Sequence, residues 1–327
     1  MPDVTGPVSE AVLSVSAAAS RRLQSLDPLL PTSARLPEGC GTDLAVCGPA
    51  AQLLAVGACE HWQGPPQSLE LTWGAARQFR LAAHVAGPAG PGVTAGLDRL
   101  LDSWRDHLAG LPDVGAADTA AVVTWPSRDV DGAAALLRHG FAPYAAIAVR
   151  ASGSGAAESA STLADVAIRR ATPDDLDAFV ELGLQVIRFD AYFGGVRERP
   201  WTAAALSDEF AVMLAAPRPW MWLAERGGRA VGMLAAEPPE QAAWIAPLTR
   251  SAPVAYVLLA GVRPDERARG TGAALATSLA AEARASGVPA ILLHYAQVNP
   301  LSVPFWSQQG YRPLWTVWEA HPPAVLR

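Results

Sequence analysis

The stretch that decides the reading is Val262-Arg263-Pro264-Asp265-Glu266-Arg267-Ala268-Arg269-Gly270-Thr271-Gly272-Ala273. Before it, Val254 to Val262 is a long apolar run that predicts a strand; Gly270 to Ala285 then carries Leu275 and Leu279 on one helical face. A strand therefore passes into a helix through a glycine-rich turn. Glycines at 270 and 272 let the backbone come close to a ligand, and the first helical turn leaves amides without intrahelical partners. Those amides, the positive helix end and the Arg267 and Arg269 guanidinium groups make an anion site, with a pyrophosphate as its natural occupant. The alternative is a solvated loop that carries an arginine or two.

Working outward, Ala290 to Ala296 reads as a strand, Leu301 to Gln309 as a helix, and Leu314 to Glu319 as a strand after Gly310-Tyr311-Arg312-Pro313. Upstream, Thr172-Pro173-Asp174-Asp175 is an N-cap with proline at the first helical position, opening a helix through about Ile187. A second helix is expected from Thr202 to Ala215, then a hairpin of Trp220 to Glu225 and Ala230 to Ala235 about Gly227-Gly228. The order predicts a mixed α/β (α+β) domain over 166–327 with a largely antiparallel sheet. A Gly/Ser/Ala-rich linker is expected at 151–165. The first part, 1–150, ends in the same pattern: strand Thr119 to Thr124, helix Val130 to Arg138, Gly140-Phe141-Ala142-Pro143, strand Tyr144 to Val149. In both places the glycine is read as a helix C-cap leading into an edge strand. Chance recurrence of such joints is one explanation; the matching order and position favour duplication and two domains.

Composition narrows the chemistry. The 327 residues hold 25 basic and 31 acidic side chains, and every basic one is arginine. Without lysine there is no Schiff-base amine and no Walker A phosphate loop. A net charge of −6 argues against a nucleic-acid binder. No apolar run suits a membrane span and no basic stretch precedes an apolar one, so a soluble cytoplasmic protein is expected. Cys40, Cys47 and Cys59, with His61 nearby, fit no closed zinc spacing; free thiols and no metal are the expectation. The arginine-only basic set suggests a GC-rich, bacterial coding sequence.

Arg267-x-x-Gly270-x-Gly272, set between strand and helix, resembles the coenzyme A signature of the GNAT superfamily of N-acetyltransferases, and Asn299, Ser302, Phe305 and Gly310-Tyr311 fall at the spacing of that family's next motif. The resemblance covers roughly Val166 to the C-terminus. It implies two tandem GNAT-like domains, each with a V-shaped splay between its two central strands, and acetyl-CoA as co-substrate. The pyrophosphate would lie on Arg267, Ala268, Arg269, Gly270, Thr271, Gly272 and Ala273; the pantetheine would pair near Val262 and Arg263 and touch Asn299 and Ser302. Asn299 also suits a plain N-cap. Direct attack by the primary amine of a small molecule is implied, and the absence of cysteine after position 150 removes a local acyl-enzyme nucleophile. His294 and Tyr256 stand where family members carry a catalytic glutamate. A lone strand histidine is also often a core residue. Where the family's tyrosine acid is usual, this chain has Trp306, so the acid stays open between water and a residue such as Tyr295.

The first copy reads as degenerate. Its turn, Gly87-Pro88-Ala89-Gly90-Pro91-Gly92-Val93, has no arginine and loses amides to two prolines, and Asp129 replaces the asparagine. Glu181, Asp190, Glu198, Asp208 and Glu209 are candidates to attract a cationic amine, and Trp201, Trp220, Trp222 and Trp244 to wall a ring-bearing one. Solvated surface and core packing are the competing roles. Alternatives to the enzyme are a non-catalytic acyl-CoA-binding regulator or scaffold and, less favoured, transfer to a protein N-terminus. Either a monomer or a homodimer fits.

Overall fold

The computed structural model describes residues 7–33, 43–87, 90–152 and 165–326. Most of the expected linker, 153–164, lies outside them, as do Cys40 and Pro88-Ala89. Helix α1 (Pro7–Leu26) is followed by β1 (Leu44–Cys47), β2 (Leu53–Gln63), β3 (Arg77–Val85), α2 (Pro91–Ala109), β4 (Thr119–Pro126), α3 (Val130–Arg138) and β5 (Ala142–Ala151). The second part holds β6 (Ala167–Arg170), α4 (Leu176–Asp190), α5 (Thr202–Leu214), β7 (Met221–Arg226), β8 (Arg229–Glu237), β9 (Val254–Val262), α6 (Thr271–Ala285), β10 (Ala290–Ala296), α7 (Ser302–Gln308) and β11 (Arg312–Ala320). Thr172 and Asp175 form a reciprocal capping box ahead of α4.

Among the described residues all the strands join one sheet, in the order β1-β2-β3-β4-β11-β5-β10-β9-β8-β7-β6. The pairings are antiparallel except β3 with β4 and β9 with β10, one parallel pair in each half. Each half's last strand is exchanged. β5 pairs with β10 over Ala290↔Ala151 to Ala296↔Ala145, while β11 lies between β4 and β5. The pattern is a pseudo-twofold about the β11/β5 pair, as duplication predicts.

The exchange corrects one expectation. Pro143 and Pro313 lie in central strands, not edge strands. Proline cannot donate to a ladder, and the sheet accommodates it by irregular register: β11 shifts against β5 between Pro313 and Trp315 and again between Val317 and Trp318, beside Pro143. The C-cap reading does describe the backbone, since Gly140 and Gly310 adopt φ of 90° and 83°.

The apolar residues of α6 and α7 pack on one face of the sheet with Val257, Ile291, Leu293 and Tyr295. Those of α4 and α5 pack on the opposite face with Leu223, Met233, Ala235 and Leu259. Next to them on that face, Leu23 and Leu30 meet Tyr256, Leu292 and Ile147, so α1 of the first half covers strands of both. Among the described residues no helix is long and apolar enough to cross a membrane.

Candidate active site

β9 and β10 are paired only from Val254↔Ala290 to Val257↔Leu293. At that point β9 also slips against β8, Val257 opposing Ala236 and Leu259 opposing Ala235, which leaves Leu258 as a bulge. A bulge bends its strand and sharpens the twist, so the two strands separate beyond it. The split opens into a cavity of about 460 Å³, within the ~300–1,000 Å³ usual for small-molecule sites. Val186, Phe189 and Asp190 of α4, Val262, the 266–273 turn apart from Arg269, and Asn299, Ser302 and Phe305 line it.

The turn at its mouth is shaped for an anion. Ala268 (φ 60°) and Gly270 (φ 85°) are both left-handed, and Gly270 caps α6. Among the described residues, the amides of Ala268 to Ala273 donate to no backbone carbonyl, whereas Ala274 already donates to Gly270. Alternating handedness turns successive amides toward one concavity, and the helix end adds its positive pole. The Thr271 hydroxyl is buried without a partner there. Gly272 allows the turn to nest on the helix beyond it, since a Cβ at this position would come 3.1 Å from Phe305. Arg267 lies over the Phe189 ring, 5.0 Å from its centre, with Nε donating to the Val262 carbonyl at 3.3 Å.

Of the residues named from sequence, Val262, Arg267, Ala268, Gly270, Thr271, Gly272, Ala273, Asn299 and Ser302 line this cavity. Arg263 does not; its guanidinium grips Glu181 at 2.7 and 2.8 Å and the Ala230 carbonyl at 2.7 Å. Arg269 reaches Glu266 at 3.3 Å and is otherwise exposed. Tyr256 and His294 lie outside the cavity, on the α4 face at the apex of the split, with Tyr256 Oη 3.0 Å from His294 Nδ1. Burial and the nearby Glu237 push Tyr256 up. Crowding by the surrounding side chains draws His294 down, although the residue as a whole is exposed at the surface. Trp306 is buried against Phe305 and Tyr311.

Asn299 does cap a helix. Its Oδ1 accepts from the Leu301 and Ser302 amides at 2.9 and 3.1 Å, while Nδ2 donates to Asp190 Oδ1 at 2.7 Å. Burial raises the Asp190 carboxyl to about 6, against the lowering effect of that bond. The sequence reading gave Asp190 only a share in charge attraction. The signal for more was its spacing, since Asp190 continues the inward stripe of Phe179, Leu182 and Val186 past the expected helix end. The other acids differ: Glu198 pairs with Arg188, and Asp208 is exposed. Trp220 and Trp222 are core residues, and Trp201 Nε1 donates to the Ser68 carbonyl at 3.3 Å. Among the described residues no group of three or more His, Cys, Asp or Glu is placed to hold a metal.

The first half has the same cap and a different filling. Asp129 Oδ1 accepts from Gly132 N of α3 at 3.2 Å, and Oδ2 receives Trp125 Nε1 at 3.1 Å and an Arg22 nitrogen at 3.5 Å. Both members of that ion pair are buried.

Residues 187–311 match the model of the Acetyltransferase (GNAT) family. A search of curated proteins found no match. Among solved structures, a GCN5-related N-acetyltransferase from Sphaerobacter thermophilus is 14% identical, with 96% of this chain covering 93% of that one at a TM-score of 0.53. A GNAT-family acetyltransferase from Colwellia psychrerythraea is 10% identical (83% of this chain, 81% of that one, TM-score 0.48). A tandem GNAT protein from the clavulanic acid biosynthesis pathway is 13% identical (97% and 96%, TM-score 0.44). The first of these shares the fold of this chain. By the match to the family model, residues 187–311 are a GNAT acetyltransferase domain, which places the protein in the class of acyltransferases.

Proposed function

We propose that the chain is an acetyl-CoA-dependent N-acetyltransferase of small-molecule primary amines, working by direct attack within a ternary complex. The observation that carries this is the run of unused amides from Ala268 to Ala273 at the mouth of a cavity leading into the β9/β10 split. Such amides suit a diphosphate, with Arg267 and Arg269 as charge partners, and the orphaned Thr271 hydroxyl points to a polar occupant. The cavity suits the pantetheine arm, lying along Val262 toward Asn299 and Ser302.

An amine reaches the enzyme as an ammonium and attacks only after losing a proton. Asp190, raised to about 6, is the base we favour, because an acid titrating near the working pH removes that proton most effectively. His294 and Tyr256 then line the apex on the acceptor side. The attacking nitrogen forms the C–N bond as the C–S bond breaks. Asp190 holds the first ammonium proton; the acylated nitrogen sheds its second proton to water, which in turn protonates the departing thiolate, since the Trp306 indole is no acid.

Calorimetric titration of the full chain with acetyl-CoA, followed by thiol release over a panel of amines, tests the reading. Binding that Arg267→Glu weakens, with thiol release on some amine, is expected. Binding indifferent to Arg267→Glu, or no thiol release on any amine, overturns it.

A further inference from the structure

At the apex of the split, a second feature faces the side of the sheet that carries α4 and α5. His294 is the first β10 residue beyond the last pair with β9, and Tyr256 stands beside it. Trp244, in the 242–244 turn between β8 and β9, lies over both. Its ring is nearly parallel to that of His294 (11°, centres 6.3 Å apart), and Tyr256 stands edge-on to each (72° at 4.9 Å, 70° at 5.7 Å).

Trp244 is 56% exposed, which wastes the most useful apolar side chain of its loop unless something covers it. It is not exposed through looseness. Ala242 and Ile245 on either side are fully buried. Thr249 Oγ1 and Arg250 N bond the Leu29 carbonyl at 2.8 and 3.1 Å, and Trp315 Nε1 bonds the Leu248 carbonyl at 2.8 Å. The indole is held out by a fixed loop.

Charge supplies the second argument. Glu237, opposite Tyr256 across the β8/β9 ladder, accepts from Trp244 Nε1 at 2.8 Å. Burial, then the charge of Glu209 on α5, push its carboxyl up. Glu181, Glu198 and Glu225 are each paired with an arginine, but among the described residues neither Glu237 nor Glu209 has an ion-pair partner. A carboxylate that feels the charge of a second acid beside an aromatic surface is complementary to a cation.

We propose that Trp244, Tyr256 and His294, with Glu237 at the rim, form the acceptor subsite, and that its ligand is an arylalkyl ammonium: the ring lies on Trp244, and Glu237 attracts the charged nitrogen as it enters, ahead of the proton transfer to Asp190. This rests on the acetyltransferase reading. It commits to a small cationic amine as the occupant of the exposed indole.

The test uses full-length protein saturated with coenzyme A, titrated with 2-phenylethylamine, n-butylamine and 2-phenylethanol. The expected result is at least about tenfold tighter binding of 2-phenylethylamine than of either analogue, since one lacks the ring and the other the charge. Trp244→Ala abolishes the advantage over n-butylamine. Glu237→Gln, which keeps an acceptor for the Trp244 indole, abolishes the advantage over 2-phenylethanol. Equal binding of the three probes, or a preference that survives both substitutions, overturns the proposal. Acetyl-CoA titration of the same variants separates the two readings. Acetyl-CoA affinity kept within about threefold, with no amine preference, sinks the subsite alone; no acetyl-CoA binding in the parent protein sinks the acetyltransferase reading beneath it.

Discussion

Asp190→Asn tests whether the raised carboxyl at the cavity is kept for chemistry. The substitution preserves shape, and an asparagine oxygen still accepts from Asn299 Nδ2, now 2.7 Å from Asp190 Oδ1. What disappears is the charge. A carboxyl moved from 3.8 to about 6 by burial holds its proton more tightly when folded than when unfolded. Between those two values the folded state binds more protons, so stability is highest at low pH and falls as pH rises through that window. At pH 7 the ionised group costs about 3 kcal/mol, less whatever share the partly exposed position leaves to solvent. Asp190→Asn should therefore stabilise the protein by up to about 3 kcal/mol at pH 7. At ~2.1 cal/mol/K per residue that is a rise in Tm of about 4 °C. The gain should vanish near pH 4. Turnover should move the other way: kcat falls about 100-fold, and the parent's decline in kcat/KM below about pH 6 disappears. Thermal melts at pH 4 and 7 and a pH–rate profile are the assays. A variant less stable at pH 7, or one that keeps the parent's acid limb, would refute the reasoning.

Arg267→Glu should weaken acetyl-CoA binding by about 10- to 100-fold on calorimetry, with the loss shrinking in high salt because this guanidinium is only partly buried. His294→Ala should lower the rate while leaving acetyl-CoA affinity within about threefold, and an unaltered rate would remove the ring from the acceptor side. Arg22→Ala should cost about 3 kcal/mol in urea unfolding, since it strands a buried carboxylate that keeps only Trp125 Nε1 and one amide as donors. A chain cut to 166–327 should give no cooperative melt, because β10 and β11 lose their common neighbour β5; a soluble, cooperatively folding fragment would contradict the exchange.

Local signals in this sequence read through to structure because local physics decides them. Val254–Val262 and Ala290–Ala296 are long apolar strands whose bounds match the expected ones, and α3 runs over the expected Val130–Arg138. Gly270, read as a place where the backbone can come close to a ligand, caps α6 in the left-handed region that glycine enters without a steric penalty. Partner choice was not legible. Nothing in Tyr144 to Val149 says that it pairs with β10 of the other half, because an apolar strand suits any neighbour of matching register. The prolines pointed to an edge, and the bulges that make them tolerable at the centre exist only once both strands are in place. The Arg263 side chain shows the same limit: nothing in the turn says that Glu181, far away in sequence, takes up its guanidinium. The inward spacing of Asp190 was legible, but its raised pKa was not, because that depends on how Asn299 and the turn before α7 cover the carboxyl.

The two copies show how a single position separates an open cleft from a closed one. Asn299 and Asp129 do the same local work, each accepting helix amides at the start of α7 and α3. Asparagine does so while neutral and keeps its amide for Asp190, so the surrounding space can stay open. Aspartate brings a full charge into a buried position, and such a charge needs a cation. Here the cation is Arg22, from the helix that covers this side of the first half. Its guanidinium is itself pulled below its usual range by burial, with two of its nitrogens unpartnered, and it lies 5.1 Å from the centre of the Trp125 ring. Satisfying Asp129 thus fills the place with an arginine and an indole. Restoring a cleft there would need more than Asp129→Asn, since Arg22 would remain, newly unpaired; the charge and its counter-charge must leave together.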